Sequence, residues 1–253
     1  MTEMVETDLR DGIATVAINN PAKRNCLNAA GAERFGEAVL EAAAVDAVKV
    51  IVLRGAGGKA FSAGADLSSV VDSDDVIQAV LEMAGAIDRM TGMIAAVVKP
   101  VIAGIDGICL GGGLQIAAAA DIRVASVSAT LGIPAIRRGF IASPAGIARL
   151  VRLLGVGSTK LLLLEGGTWN GEVALAKGLV DVLVPKEDFE QRLEAFAKSL
   201  AGLDDAALAA SKQIVDGVCP VSAIPPELQT LHDQVNSNEQ IRQTLMEFSK
   251  RKT

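Results

Sequence analysis

The chain has no tyrosine, one tryptophan and a single histidine, His232, in 253 residues. With six phenylalanines besides, its core must be aliphatic, and flat rings on which nucleobases could stack are scarce. Cysteine is as sparse: Cys26, Cys109 and Cys219 are far apart. Three distant thiols suit a reducing compartment and make no disulfide framework, and with one histidine they offer no zinc site, so no metal is expected. There is no basic excess; the net charge is -6, which argues against nucleic acid as the main partner. No apolar run reaches the roughly 18 residues of a membrane span. The first residues, MTEMVETDLRDG, are acidic and carry no apolar signal core, so a cytoplasmic location is expected.

What is present is aliphatic bulk, 50% of the residues, enough for one large or two small domains. The most informative stretch is VIAGIDGICLGGGLQIAAAAD, residues 101–121. Val101 to Ile105 reads as a buried strand, Asp106-Gly107 breaks it, and Gly111, Gly112 and Gly113 precede a short apolar helix over Leu114 to Ala120. Glycines let a ligand approach the backbone, and the first N–H groups of a helix have no intrahelical partner. Such a place suits an anion or an oxygen that becomes anionic in a reaction. A glycine-packed bend without chemistry fits the same residues.

Around it the chain reads as follows. Strands at Val5–Leu9 and Ile13–Ile18 flank an Asp11-Gly12 hairpin turn. Asn28 caps a helix over Ala29–Ala44 with Phe35, Val39 and Leu40 inward. Lys49–Leu53 is a strand, and the segment from Lys59 to Leu67 is small and glycine-bearing, so its amides are also candidates for open donors. Val76 to Val98 is helical. Ile122–Ala125 is a strand and Leu131–Gly139 is irregular. Ser143-Pro144 opens a helix interrupted at Gly155–Gly157, Asn170 caps another, and Val180–Val184 is a strand. Residues 186–253 carry no strand signal and read as three or four helices. The chain thus divides into an α/β (α+β) segment, 1–185, and an all-helical segment, 186–253.

Six ordered motifs resemble the crotonase superfamily, the enoyl-CoA hydratase/isomerase family. They are Asn19-Asn20-Pro21 with Asn25-Cys26-Leu27-Asn28; Ala60-Phe61-Ser62-Ala63-Gly64-Ala65-Asp66-Leu67; Lys99-Pro100-Val101-Ile102-Ala103; Gly111-Gly112-Gly113; ALAKGLVDV over Ala174–Val182; and Phe248-Ser249-Lys250-Arg251-Lys252. The resemblance implies a spiral of ββα units, a C-terminal helical region used for trimerisation, with a homotrimer or a hexamer of paired trimers, and an acyl-CoA thioester as ligand. Coenzyme A would come with the substrate, with no covalently held cofactor. It implies further that the thioester oxygen is held by the backbone N–H groups of Ala65 and Gly112. On the same basis Arg24, helped by Lys23, is expected at the CoA phosphates. The Ala63-Gly64-Ala65 backbone is expected against the adenine, with Asp66 and Leu67 beside it, and Phe248 and Lys250 closing the pocket.

Two positions depart from the family pattern. The hydratases use two glutamates; here the matching places are Gln115 and Ala135. An amide does not titrate and a methyl has no polar atom, so neither can do acid–base work. A third position where relatives place an acid aligns with Ser143, which reads first as a helix cap and is a weak nucleophile without a base. Gln115 suits either the pocket or a buried backbone group. Arg137 and Arg138 suit either a carboxylate on the acyl tail or a surface ion pair. Asp66 suits a loop-stabilising role, and Cys109 the core. The dinucleotide, phosphate-loop and nucleophile-elbow patterns are absent. The function expected is action on an acyl-CoA through enolate stabilisation, with a non-catalytic acyl-CoA binding protein as the alternative.

Overall fold

The computed structural model describes residues 4–218, 225–237 and 239–250, without the side chains of 239, 240, 242 and 248–250. In chain order the elements are β1 (Val5–Arg10), β2 (Ile13–Ile18), α1 (Ala29–Ala44), β3 (Val50–Gly55), β4 (Ala60–Ser62), α2 (Leu67–Val71), α3 (Val76–Ala95), β5 (Val101–Ile105), β6 (Ile108–Leu110) and α4 (Gly112–Ala119). Then come β7 (Ile122–Ser126), β8 (Thr130–Gly132), a 3-10 turn (Pro134–Arg138), α5 (Pro144–Glu165), β9 (Thr168–Asn170), α6 (Gly171–Ala176), β10 (Val182–Val184), α7 (Phe189–Ala201), α8 (Asp205–Val218), α9 (Pro226–Asn236) and α10 (Glu239–Lys250).

The strands form two sheets, of order β1-β2-β3-β5-β7-β10 and β4-β6-β8-β9. Successive strand pairs β3/β4, β5/β6 and β7/β8 send one strand to each sheet before a helix returns the chain. This is the expected spiral of ββα units. Among the described residues only the outer pairings β1/β2 and β8/β9 are antiparallel. Parallel strands need both faces covered, and the alternation of side chains provides for it. Ile51, Leu53, Ala103 and Ile105 point into the main core with Phe35, Val39, Met90 and Ile94 of α1 and α3. Val50, Val52, Ile102 and Val124 point the other way, under Phe189, Leu193 and Ala197 of α7.

Local chemistry sets the boundaries as expected. Asn28, Ser143 and Asn170 accept from the N–H of Gly31, Gly146 and Val173 and so cap α1, α5 and α6. Gly155 (φ 70, ψ 168) breaks the helical path inside α5. Three readings are corrected. Leu40 is 41% exposed, because it lies about 100° around α1 from Val39, which holds the inward stripe. Helix α4 starts at Gly112, earlier than propensity suggests, and α3 ends at Ala95. The three-residue strands β6, β8 and β9 are too short to carry a period-2 signal.

Helix α4 packs its backbone against β4 of the smaller sheet. A Cβ on Gly113 would lie 2.3 Å from the carbonyl oxygen of Ser62, an atom that cannot give way. Gly113→Ala is therefore expected to cost about 1–3 kcal/mol by overpacking. Gly157, in α5, has nothing within 4 Å of its added methyl, and Gly157→Ala is expected to be neutral or to stabilise by up to ~1 kcal/mol. Urea unfolding of the two variants measures the contrast.

Candidate active site

The site begins with two backbone segments in contact. After β4 the chain runs past Leu27, whose N–H donates to Gly64 O (3.0 Å) and whose carbonyl accepts from Asp66 N (2.8 Å). That pairing turns the Ala65 N–H to the opposite side. After β6, Gly111 (φ 55) turns the chain so that Gly112 opens α4 with its N–H unpaired by helix geometry. The segments touch: a Cβ on Gly64 would lie 2.7 Å from Leu110 O and 2.8 Å from Gly112 N. No hydrogen bond from the N–H of Ala65 or of Gly112 to a protein acceptor occurs among the described residues.

Asn25 holds this arrangement. It is fully buried at φ 56, a left-handed conformation that asparagine tolerates. Its amide donates to Ala56 O (2.9 Å) and Ala60 O (2.7 Å), and its oxygen accepts from Asn20 N (2.9 Å). The Asn25 carbonyl takes the Ser62 hydroxyl (2.8 Å), which in turn accepts from Gly64 N (3.1 Å). Arg24 O receives Ala63 N at 2.9 Å. The loop ahead of α1 is thus bonded along the whole Ser62–Asp66 segment.

The open amides face a cavity of about 630 Å³. Val70, Val80, Met83 and Ile87 make an apolar wall, and Gln115, Ser143, His232 and Asn236 make a polar end. The cavity brings together Lys23, Arg24, Ala63, Ala65, Asp66, Leu67, Gly112, Gln115, Ala135 and Ser143 from the sequence reading, with Gly64 packed behind. The Phe248 and Lys250 side chains, like Cys219, lie outside the described residues.

The polar candidates divide by what they hold. Lys23 is ion-paired with Asp66 at 2.8 Å, and the hydrogen bond to that carboxylate raises its pKa. Burial pushes Asp66 up, but Lys23 and Ser68 outweigh it and hold the carboxyl below its ordinary value. Asp66 also accepts from Ser68 N, capping α2. Arg137 donates to Gly166 O (2.6 Å) and Glu165 O (3.3 Å) and is not a lining residue; Arg138 is. Cys109 is buried in the core, and burial pushes its thiol up. Among the described residues no group of three or more His, Cys, Asp or Glu side chains is arranged to hold a metal ion.

Three residues at the polar end were not singled out from sequence. Asp88, on α3, accepts the Ser143 hydroxyl. Ser143 Oγ also accepts from Gly146 N (3.1 Å) and lies 3.5 Å from Gln115 Oε1. From α9, Asn236 bonds both the N–H (3.1 Å) and the C=O (3.3 Å) of Ile141, and its amide donates to His232 Nε2 (2.8 Å). With Nε2 accepting, Nδ1 carries the proton and donates to Asp233 (2.8 Å). The available signal for Asp88 was an acid one residue beyond Ile87 of the apolar stripe, at helical spacing from Ala84 and Thr91.

Burial raises the Asp88 carboxyl above its ordinary range, against the lowering effects of the Ser143 hydroxyl, Arg149, His232 and Arg89. The folded chain therefore holds this proton more tightly than the unfolded chain. The stability it contributes is complete below the ordinary carboxylate range and is lost as pH rises through the raised value. Asp88→Asn stays neutral throughout. Its stability relative to the native protein is expected to improve with rising pH across that window, as urea midpoints at a series of pH values will show.

Residues 8–253 match the enoyl-CoA hydratase/isomerase family. The short-chain-enoyl-CoA hydratase of Clostridium acetobutylicum is 31% identical over 204 residues, 81% of this chain and 77% of that protein. Mouse enoyl-CoA hydratase domain-containing protein 2, mitochondrial, is 35% identical over 198 residues, 77% of this chain and 64% of that protein. Among solved structures, an enoyl-CoA hydratase from Bacillus anthracis superposes with a TM-score of 0.81 at 27% identity, covering 97% of this chain and 92% of its own. An enoyl-CoA hydratase/carnithine racemase from Magnetospirillum magneticum gives 0.83 at 25%, covering 99% and 94%. With the motifs in order and the ββα spiral built from them, this chain belongs to the enoyl-CoA hydratase/isomerase family, the crotonase superfamily.

Proposed function

We propose that the protein binds an acyl-CoA thioester with its carbonyl oxygen between the N–H groups of Ala65 and Gly112. The observation that carries this is the pair of unpaired amides, fixed side by side in the wall of an apolar cavity. Withdrawal of a proton beside a thioester places negative charge on that oxygen. Donors already aimed at it stabilise the enolate without reorganising, each worth about 3–4 kcal/mol in comparable sites. The apolar wall takes the acyl chain. Coenzyme A arrives as part of the ligand, and no metal takes part.

Arg24, with Lys23, contacts the CoA phosphates. Both lie on the loop bonded to the Ser62–Asp66 segment, so phosphate and thioester are held by one connected piece of backbone. The Ala63–Ala65 backbone lies against the adenine. The helical region 186–253 carries assembly into a trimer or a dimer of trimers. Helix α8 supports this: it buries no residue, and Ile214, Val215 and Val218 are 65%, 59% and 72% exposed. Arg24→Glu is expected to weaken butyryl-CoA binding by about 1.5–3 kcal/mol, the worth of a charge-assisted contact. Calorimetry reads this directly, and an unchanged affinity removes Arg24 from the site.

Hydration by two glutamates does not operate here. It requires a base to activate water and an acid to protonate carbon, each worth roughly 10²–10⁴-fold. Gln115 and Ala135 supply an amide and a methyl. The native protein is expected to bind crotonyl-CoA and hydrate it very slowly, as followed by loss of the enoyl absorbance. Gln115→Glu with Ala135→Glu is expected to raise the rate, and either change alone to do less, because the pair acts as a unit. Native turnover on the order of 10 per second would overturn this. The same two residues favour a second reading, an acyl-CoA binding protein without turnover.

A further inference from the structure

We infer that the site retains one path for a proton, running from the cavity through the Ser143 hydroxyl to the Asp88 carboxylate. The inference rests on the acyl-CoA reading above and adds the group that would exchange a proton with the ligand's α-carbon.

The geometry comes from three helices. Gln115 stands three residues after Gly112 on α4, a little under one turn, about 4.5 Å along the axis. Ser143 Oγ, 3.5 Å from Gln115 Oε1, thus lines the same cavity as the two amides. It is 4% exposed and lines the cavity. Its hydrogen is committed to Asp88, and one lone pair accepts Gly146 N. The other lone pair is left for the cavity. Asp88 is not itself a lining residue, so it acts through Ser143 as a positioning and proton-accepting group. The groups that act against its burial come from three helices: Arg149 on α5, His232 on α9 and Arg89 on α3 itself.

The step balances simply. The Cα–H bond breaks as the proton passes to Ser143 Oγ and the serine's own proton passes to Asp88. The electron pair moves into the C–C bond and onto the thioester oxygen between Ala65 and Gly112. Reversal returns a proton to the same carbon. A single channel of this kind supports α-proton exchange. It cannot also activate a water, which agrees with slow hydration.

The test is deuterium exchange at the α-carbon of butyryl-CoA in D₂O, followed by proton NMR, with butyryl-CoA affinity measured separately by calorimetry. The native protein is expected to catalyse exchange, at a rate that rises with pH through a single carboxylate titration. Asp88→Asn is expected to lower the rate at least ~100-fold, the lower bound for a general acid–base group, and to remove that titration, with affinity changed less than ~3-fold. Ser143→Ala is expected to lose exchange, whereas Ser143→Thr, which keeps the hydroxyl and the helix cap, retains it. Binding without exchange, or exchange at the native rate in Asp88→Asn, overturns the proton path while leaving the acyl-CoA reading intact. A pH profile that persists in Asp88→Asn likewise overturns it. Absence of any butyryl-CoA binding overturns the acyl-CoA reading and this inference with it.

Discussion

The whole site depends on how closely two pieces of backbone approach. Gly64 packs against Leu110 and Gly112 at distances that leave no room for a Cβ, and Gly113 does the same against Ser62. Side chains usually keep neighbouring backbones well apart; here bare backbone meets bare backbone. Only then can two amides from different turns of the spiral point into one cavity. Close by, the β4/β6 pairing shifts register between Ala60 and Ser62. Asn25 adds the cross-bracing. Without it Gly64 would be free to drift, because the glycines that permit the approach do nothing to hold it.

Asn25 and Asp88 illustrate two ways to bury a polar side chain. Asn25 is neutral and has its donors and acceptor satisfied by three residues, Ala56, Ala60 and Asn20. Such a group adds rigidity without a charge to desolvate. Asp88 carries a charge in a half-buried place and is stabilised by a hydroxyl and surrounding cations. Desolvation dominates there, which suits a group that gains and loses a proton better than a purely structural one. Elsewhere the same balance is used for support: Asp121 is raised by burial although Lys212 bonds it at 2.7 Å, and it also accepts Val101 N to fix the start of β5.

Much of this was legible in the residues. The hairpin at Asp11-Gly12, the caps at Asn28, Ser143 and Asn170 and the break at Gly155 are written in local chemistry, and each falls where local chemistry puts it. The amides of Ala65 and Gly112 could be named only through a resemblance, since a backbone donor has no side chain to recognise. The short strands β6, β8 and β9 escaped because three residues carry no periodicity, and their existence depends on partners far away in sequence. Asp88 escaped for a related reason. On a helix its neighbours are Ala84 and Thr91, and nothing local places Ser143 fifty-five positions later beside it.

The hydrogen bonds from Asn236 to Ile141 have a consequence for biosynthesis. They fasten α9 across the polar end of the cavity, joining residues 95 positions apart. During synthesis the spiral, with its apolar wall of Val70, Val80, Met83 and Ile87, is complete before α9 has left the ribosome. For that interval the nascent chain carries an open greasy cleft, the kind of surface that chaperones hold and aggregates grow from. The last helices, made after every strand of the spiral, are thus the part of the chain that finishes the polar end of the cavity.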